Sequence, residues 1–226
     1  MLAARLHSLV SSFTLRETKM NKYLVELIGT FFLVLTIGCT VIDKGAGPFA
    51  PIAIGASLMV MIFAGGHISG GHYNPAVTLG VWMRGKCDTK DVVPYWASQF
   101  IGAALAAGVV KFFKAGAVVT PATLQTVPAL LAEFLFTFAL VYVVLNTATA
   151  KGTEGNSFYG LAIGMTVMTG AFAVGNISGG AFNPGVALGI TIMGLSAWSS
   201  IWLFLVADFL GGAVAALIFK FVNPVT

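Results

Sequence analysis

Two asparagines, each followed by proline, carry the chemistry most open to reading in this sequence. Asn74-Pro75-Ala76 and Asn183-Pro184-Gly185 stand 109 positions apart, each a few residues after Ile-Ser-Gly-Gly. Asparagine is a favoured N-cap, and proline suits the first helical position because its missing N–H would be unpaired there anyway. Each pair therefore starts a short helix, Asn74–Met83 and Asn183–Met193, whose leading end carries roughly half a positive charge. The asparagine amides can donate hydrogen bonds to a passing oxygen, and the glycine-rich segments before them offer carbonyls as acceptors. Such a device passes neutral polar molecules and opposes cations and protons. One Asn-Pro pair is usually only a helix cap. Two at equivalent places are specific.

The other polar residues in apolar surroundings also come in pairs. Glu26 and Glu133 head the matching runs Glu26-Leu27-Ile28-Gly29-Thr30-Phe31 and Glu133-Phe134-Leu135-Phe136-Thr137-Phe138. Gln99-Phe100 aligns with Asp208-Phe209 at the 109-residue offset. A carboxylate in an apolar span is costly and is functional or internally paired. Gln99 and Asp208 read as polar contacts near the ends of the short helices, with gating by Asp208 the minor reading. His67 and His72 lie five apart without a third ligand nearby, so packing and carbonyl orientation are favoured over metal or pH sensing. No metal, no cofactor and no nucleophile–base pair is expected, and no enzyme.

These residues need a membrane to hold them. Of 226 residues, 58% are hydrophobic and 9% charged, whereas a soluble domain carries roughly a quarter charged residues. An apolar span needs about 20 residues. Six stretches qualify with their flanks: Tyr23–Ile42, Pro51–Ala64, Pro94–Phe113, Val127–Ala148, Phe158–Val174 and Trp198–Phe221. The two Asn-Pro helices are too short to cross and must be re-entrant or interfacial; the repeat favours re-entrant. The chain thus reads as an all-α membrane protein of six transmembrane helices plus two re-entrant half-helices. Repeat one covers 20–114, a linker 115–126, and repeat two 127–222 of a single channel domain, 20–226. Three spans per repeat is an odd number, so the second half enters the membrane inverted, and the shared site lies near the midplane.

Charge sets the orientation. With both termini on one side, that side gathers Arg5, Arg16, Lys19, Lys22, Arg84, Lys86, Lys90, Lys151 and Lys220, against Lys44, Lys111 and Lys114 opposite. The positive-inside rule then puts both termini in the cytoplasm of a multi-pass cell-membrane protein, and the basic excess implies no nucleic acid. Residues 1–19 read as a cytoplasmic tail, with a targeting segment the other reading. Cys39 and Cys87 read as unpaired thiols.

With its paired signatures, His67-Ile68-Ser69-Gly70-Gly71-His72-Tyr73-Asn74-Pro75-Ala76 and Asn176-Ile177-Ser178-Gly179-Gly180-Ala181-Phe182-Asn183-Pro184-Gly185, the chain resembles the major intrinsic protein family of aquaporins and glycerol facilitators over nearly all of Met20–Val222. The resemblance implies a right-handed six-helix bundle, a homotetramer with one pore per subunit, and passive passage of water and small neutral solutes. It carries pore-lining carbonyls onto Gly70, Gly71, His72 and Tyr73, and onto Gly179, Gly180, Ala181 and Phe182. It also gives Glu26 and Glu133 the task of holding the loop backbones.

The departures from that family concern selectivity. Its filter positions fall on Ile54, Ala171, Gly180 and Val186, and Val186 stands where the family has an arginine. The set has no charge, no side-chain donor and no ring. A wide, apolar constriction is therefore favoured over a narrow one, with glycerol, urea, ammonia, hydrogen peroxide and metalloid acids as permeants beside water. Ala187 replaces the aspartate of the glycerol branch. A secondary transporter coupled through a buried acid is the rival reading, since inverted repeats with broken helices also build those.

Overall fold

A computed structural model describes residues 2–224, with side chains from residue 20 onward. Eight α-helices follow one another: α1 (Leu2–Val41), α2 (Ala50–Ser69), α3 (Pro75–Met83), α4 (Thr89–Phe113), α5 (Thr126–Val144), α6 (Tyr159–Ser178), α7 (Pro184–Ile192) and α8 (Ile201–Val222). The portion of α1 from Met20, together with α2, α4, α5, α6 and α8, is long and apolar enough to span a bilayer; α3 and α7, nine residues each, are not. Several helices outrun the apolar stretches that announce them. α4 begins at Thr89 and takes Pro94 into its second turn, where the lost hydrogen bond lies at the polar end. α1 runs unbroken from Leu2, so residues 2–19, read as a tail, continue the first helix.

The two repeats interlock. α1 packs on α4 and α2, and α5 packs in the same way on α8 and α6. Each half-helix crosses to the other repeat, α3 against α8 and α7 against α4, and α2 meets α6 between the halves. That last contact is backbone on backbone. A Cβ added to Gly55 would sit 2.6 Å from the Gly164 carbonyl oxygen, and one added to Gly164 would meet the Gly55 carbonyl oxygen. The same closeness recurs where Gly102 faces the Leu27 carbonyl and Gly211 the Phe134 carbonyl, at 2.5 and 2.6 Å from the would-be Cβ. In lipid, where apolar burial offers no drive between helices, small residues that admit such approach hold the bundle together.

Gly108, also on a small-residue face of α4, has nothing within 4 Å of a would-be Cβ. Gly164→Val should therefore destabilise the folded protein by about 1–3 kcal/mol or more through overpacking, while Gly108→Val should not. Thermal unfolding of the two variants in matched detergent checks the contrast.

Candidate functional site

The chain leaves its helix at two glycine-rich turns, and both are built alike. α2 ends at Ser69 with Gly70 left-handed at φ 90°, and α6 ends at Ser178 with Gly179 at φ 96°. The backbone then runs through Gly71 and Gly180, both at positive φ, to Tyr73 at φ 51° and Phe182 at φ 49°. A left-handed conformation at a bulky residue is uncommon and persists only where the surroundings impose it. Here they do. The Tyr73 ring lies against Gly29 and its hydroxyl donates to the Met61 carbonyl at 2.9 Å; the Phe182 ring fills the space beside Gly170.

The buried carboxylates hold the loop backbones. Glu26 accepts from Ser69 Oγ at 2.7 Å, the His72 N–H at 2.9 Å and the Tyr73 N–H at 2.6 Å. Glu133 accepts from Ser178 Oγ at 2.5 Å, the Ala181 N–H at 3.0 Å and the Phe182 N–H at 2.6 Å. Both acids are wholly buried. Gln99 Nε2 donates to Glu26 at 2.8 Å and to Thr78 Oγ1 at 3.0 Å. Tyr95 adds a tie from its hydroxyl to the Ser69 carbonyl at 2.7 Å.

Asn74 and Asn183 then lock the two turns to each other. Asn74 Oδ1 caps α3 by accepting from the N–H of Ala76 at 2.8 Å and of Val77 at 3.4 Å; Asn183 Oδ1 caps α7 through Gly185 at 2.8 Å and Val186 at 3.3 Å. Asn74 Nδ2 donates across to the Phe182 carbonyl at 2.8 Å, and Asn183 Nδ2 to the Tyr73 carbonyl at 2.9 Å. An amide has two N–H groups, so each asparagine keeps one more donor. The half-helix ends abut: a Cβ on Gly185 would lie 3.6 Å from Pro75 Cδ and 3.2 Å from Asn183 Oδ1.

Beside these caps is a cavity of about 20 Å³, lined by 16 residues that fall into eight repeat-related pairs. On the helices the pairs are Leu33 with Leu140, Ile37 with Val144, Ile54 with Ile163, and Leu58 with Val167; at the turns they are Gly71 with Gly180, His72 with Ala181, Asn74 with Asn183, and Val77 with Val186. Only one pair sets a polar side chain against an apolar one. His72 Nδ1 lies 3.0 Å from Thr78 Oγ1, and His72 and Val144 also line a second, open cavity of about 1060 Å³. That vestibule carries Lys22, Arg84, Lys86, Lys151, Asp91 and His67 in its wall. Lys22 pairs there with Asp91, which also accepts from the Tyr23 hydroxyl at 2.6 Å. Burial pushes the nearby Cys87 thiol up to about 11, with Asp91 adding to the effect.

Of the residues singled out from sequence, Ile54, Gly180 and Val186 line the small cavity; Ala171 stands behind Gly180, its Cα 3.6 Å from a would-be Cβ there. Gly71, His72 and Ala181 also line it, Gly70 faces the vestibule, and the carbonyls of Tyr73 and Phe182 are engaged by the asparagines. The cavity that three of the expected filter residues line is apolar and small. Branched side chains from four helices (α1, α2, α5 and α6) and the two valines Val77 and Val186 occupy the space. At roughly 10–15 Å³ per water, the cavity holds about one. The sequence reading overlooked Leu33, Ile37, Leu140 and Val144, though their spacing of 107, the same as that of Glu26 and Glu133, pointed to them.

Two inverted bundles with half-helices meeting cap to cap beside a narrow lumen define a membrane channel architecture. Comparison with known proteins agrees: the family model described as "Major intrinsic protein" matches residues 50–219, and the chain belongs to that family of channels. The chain is 36% identical to "Aquaporin NIP1-1" of Oryza sativa subsp. japonica over 217 residues, covering 90% of this chain and 75% of that one. It is also 36% identical to "Glycerol uptake facilitator protein-like 6" of Lactiplantibacillus plantarum over 208 residues, covering 87% and 95%. In fold it is similar to the aquaglyceroporin from Plasmodium falciparum, with a TM-score of 0.76 at 21% identity over 91% of this chain and 98% of that one.

The two tasks of Asn74 separate by substitution. Asn74→Asp keeps the capping oxygen but loses the donor to Phe182, and should cost about 1–3 kcal/mol. Asn74→Ala loses the cap too and should cost roughly a further 1 kcal/mol. Melting temperatures in the order wild type, Asp, Ala are expected; equal values for wild type and Asp would deny the cross-tie.

Proposed function

We propose that this protein is a passive channel for water and small uncharged solutes, with one pore through each subunit. The observation that carries this reading is the cavity beside the paired caps: room for about one water, two-fold in its lining, with no charged side chain and with Asn74 and Asn183 among its lining residues. Two helix N-termini aimed at one point repel cations, and an apolar wall of low dielectric strengthens that repulsion. Water keeps enough hydrogen bonds to cross, from the free amide N–H of each asparagine and from the carbonyls of the glycine-rich turns.

On this reading Ile54, Gly180, Val186 and Ala171 form the selectivity filter, and Val186, the mate of Val77, leaves it without the positive charge that the family resemblance leads one to expect. Ion exclusion then rests on the paired caps. Water and ammonia suit so small a cavity best; hydrogen peroxide, glycerol, urea and metalloid acids need more room, which movement of Ile54, Leu58 and Val186 would supply. The relatives named for glycerol uptake and for aquaporin function support this range. The reading extends to a homotetramer in the cell membrane with both termini cytoplasmic, supported by the nine-to-three basic asymmetry. Secondary transport is disfavoured because the acids Glu26, Glu133 and Asp208 are wholly buried away from the lumen lining.

Swelling and shrinkage of proteoliposomes, followed for water, glycerol, urea, hydrogen peroxide and ammonia, tests the proposal. Flux should rise linearly with solute gradient and depend weakly on temperature; a saturating flux would support the transporter instead. Val186→Arg should lower passage of the larger solutes several-fold relative to water and tighten exclusion of ammonium ion, since a guanidinium adds charge and donors to the constriction. An unchanged solute ranking and ion leak would remove Val186 from the filter.

A further inference from the structure

Among the buried positions at which the two repeats differ, one bears directly on the glutamates that hold the turns. Glu26 in the first repeat receives four donors: Ser69 Oγ, the N–H groups of His72 and Tyr73, and Gln99 Nε2. Glu133 in the second receives the first three in equivalent form, from Ser178 Oγ and the N–H groups of Ala181 and Phe182. Where Gln99 would supply the fourth, its repeat mate is Asp208, wholly buried and within hydrogen-bonding reach of Glu133. A carboxylate offers only acceptors, so two ionised acids here would face each other without a proton between them.

The surroundings are arranged for a different state. Thr30 Oγ1 spends its proton on its own helix, at the Glu26 carbonyl, 2.8 Å away. Its mate Thr137 instead donates to Asp208 Oδ1 at 3.0 Å, treating that oxygen as the acceptor side of the group. The other oxygen, Oδ2, has no other hydrogen-bond partner, and the Asn183 backbone N–H lies beside the carboxyl. Among the described residues Glu133 is the only titratable group acting on Asp208; α3, α5 and α7, which pack on α8, bring no cation to it. The pair sits in a low-dielectric interior with one donor missing and one oxygen to spare.

We propose that Glu133 and Asp208 hold one shared proton, so that the Asp208 hydroxyl takes the place of the Gln99 amide as the fourth donor to the acid that positions the second re-entrant turn. Asp208 is then a positioning residue for the carbonyls of Gly180 and Ala181. The first turn is held by a permanent amide donor, the second by a removable proton. Strongly alkaline conditions should therefore loosen the second turn before the first. A proton shared by two carboxyls belongs to the pair, and its loss is a property of the pair.

Infrared difference spectroscopy of the full chain in liposomes reads this directly. At neutral pH the wild type should give a carbonyl stretch of a buried protonated carboxylic acid that shifts in heavy water. Asp208→Asn, whose amide supplies the missing donor, should abolish that band while keeping wild-type folded yield, and should remove the alkaline loss of thermal stability. Asp208→Leu, with no donor, should lower the yield severalfold. A wild type with no protonated carboxyl band at neutral pH, or a band that survives in Asp208→Asn, would overturn the proposal.

Discussion

A backbone that leaves its helix halfway through a bilayer has no water to bond, and every N–H and C=O it frees must find a partner or face a wet lumen. The fold is arranged around that constraint. Two carboxylates collect the N–H groups of the turns on one side, at 2.6 to 3.0 Å, and two asparagines tie each turn's last carbonyl to the opposite half-helix. On the proposed reading, the carbonyls that remain in the glycine-rich segments are those offered to the permeating molecule. The unusual positive φ of Tyr73 and Phe182 goes with this arrangement, each residue giving its N–H to a glutamate and its carbonyl to an asparagine.

Because the same solution is used twice, the lumen inherits the two-fold relation of the repeats. The inherited symmetry has a physical consequence for selectivity. A cavity in which Val186 mirrors Val77, and Ile163 and Val167 mirror Ile54 and Leu58, has no side chain with a fixed charge in its lining. On the proposed reading, discrimination comes from width and from the facing helix ends. His72, opposite Ala181 and held by Thr78, is the one polar break, at the junction with the vestibule. If the Thr78 hydroxyl proton goes to the Asn74 carbonyl, 3.1 Å away, then His72 Nδ1 carries the hydrogen and Nε2 remains an acceptor.

Much of this was legible in the residues. The half-helices and their caps could be placed from the 109-residue recurrence and the paired glutamates from the 107-residue one, because capping chemistry and the cost of a buried acid are local arguments. The cross-tie could not, since nothing local says that Asn74 reaches the residue before Asn183 and not the cap itself. The lumen-lining Leu33, Ile37, Leu140 and Val144 were hidden for another reason: an apolar side chain facing a narrow pore looks the same in sequence as one facing lipid. Width is hard to read for a related cause: a lost arginine suggests a gap, but whether branched neighbours fill it is decided by tertiary packing. Gly108 and Gly164, alike in sequence as small residues on helix faces, differ in the structure by whether a second backbone lies against them.

The central claim is that facing helix ends and a neutral lumen let water through while stopping charge. Its most direct test measures both on the same vesicles: osmotic water flux by light scattering and proton entry by an enclosed pH dye, with the protein reconstituted at increasing density. Water flux should climb in proportion to protein while proton entry stays at the level of protein-free liposomes. Proton entry that climbs together with the water flux would contradict the account.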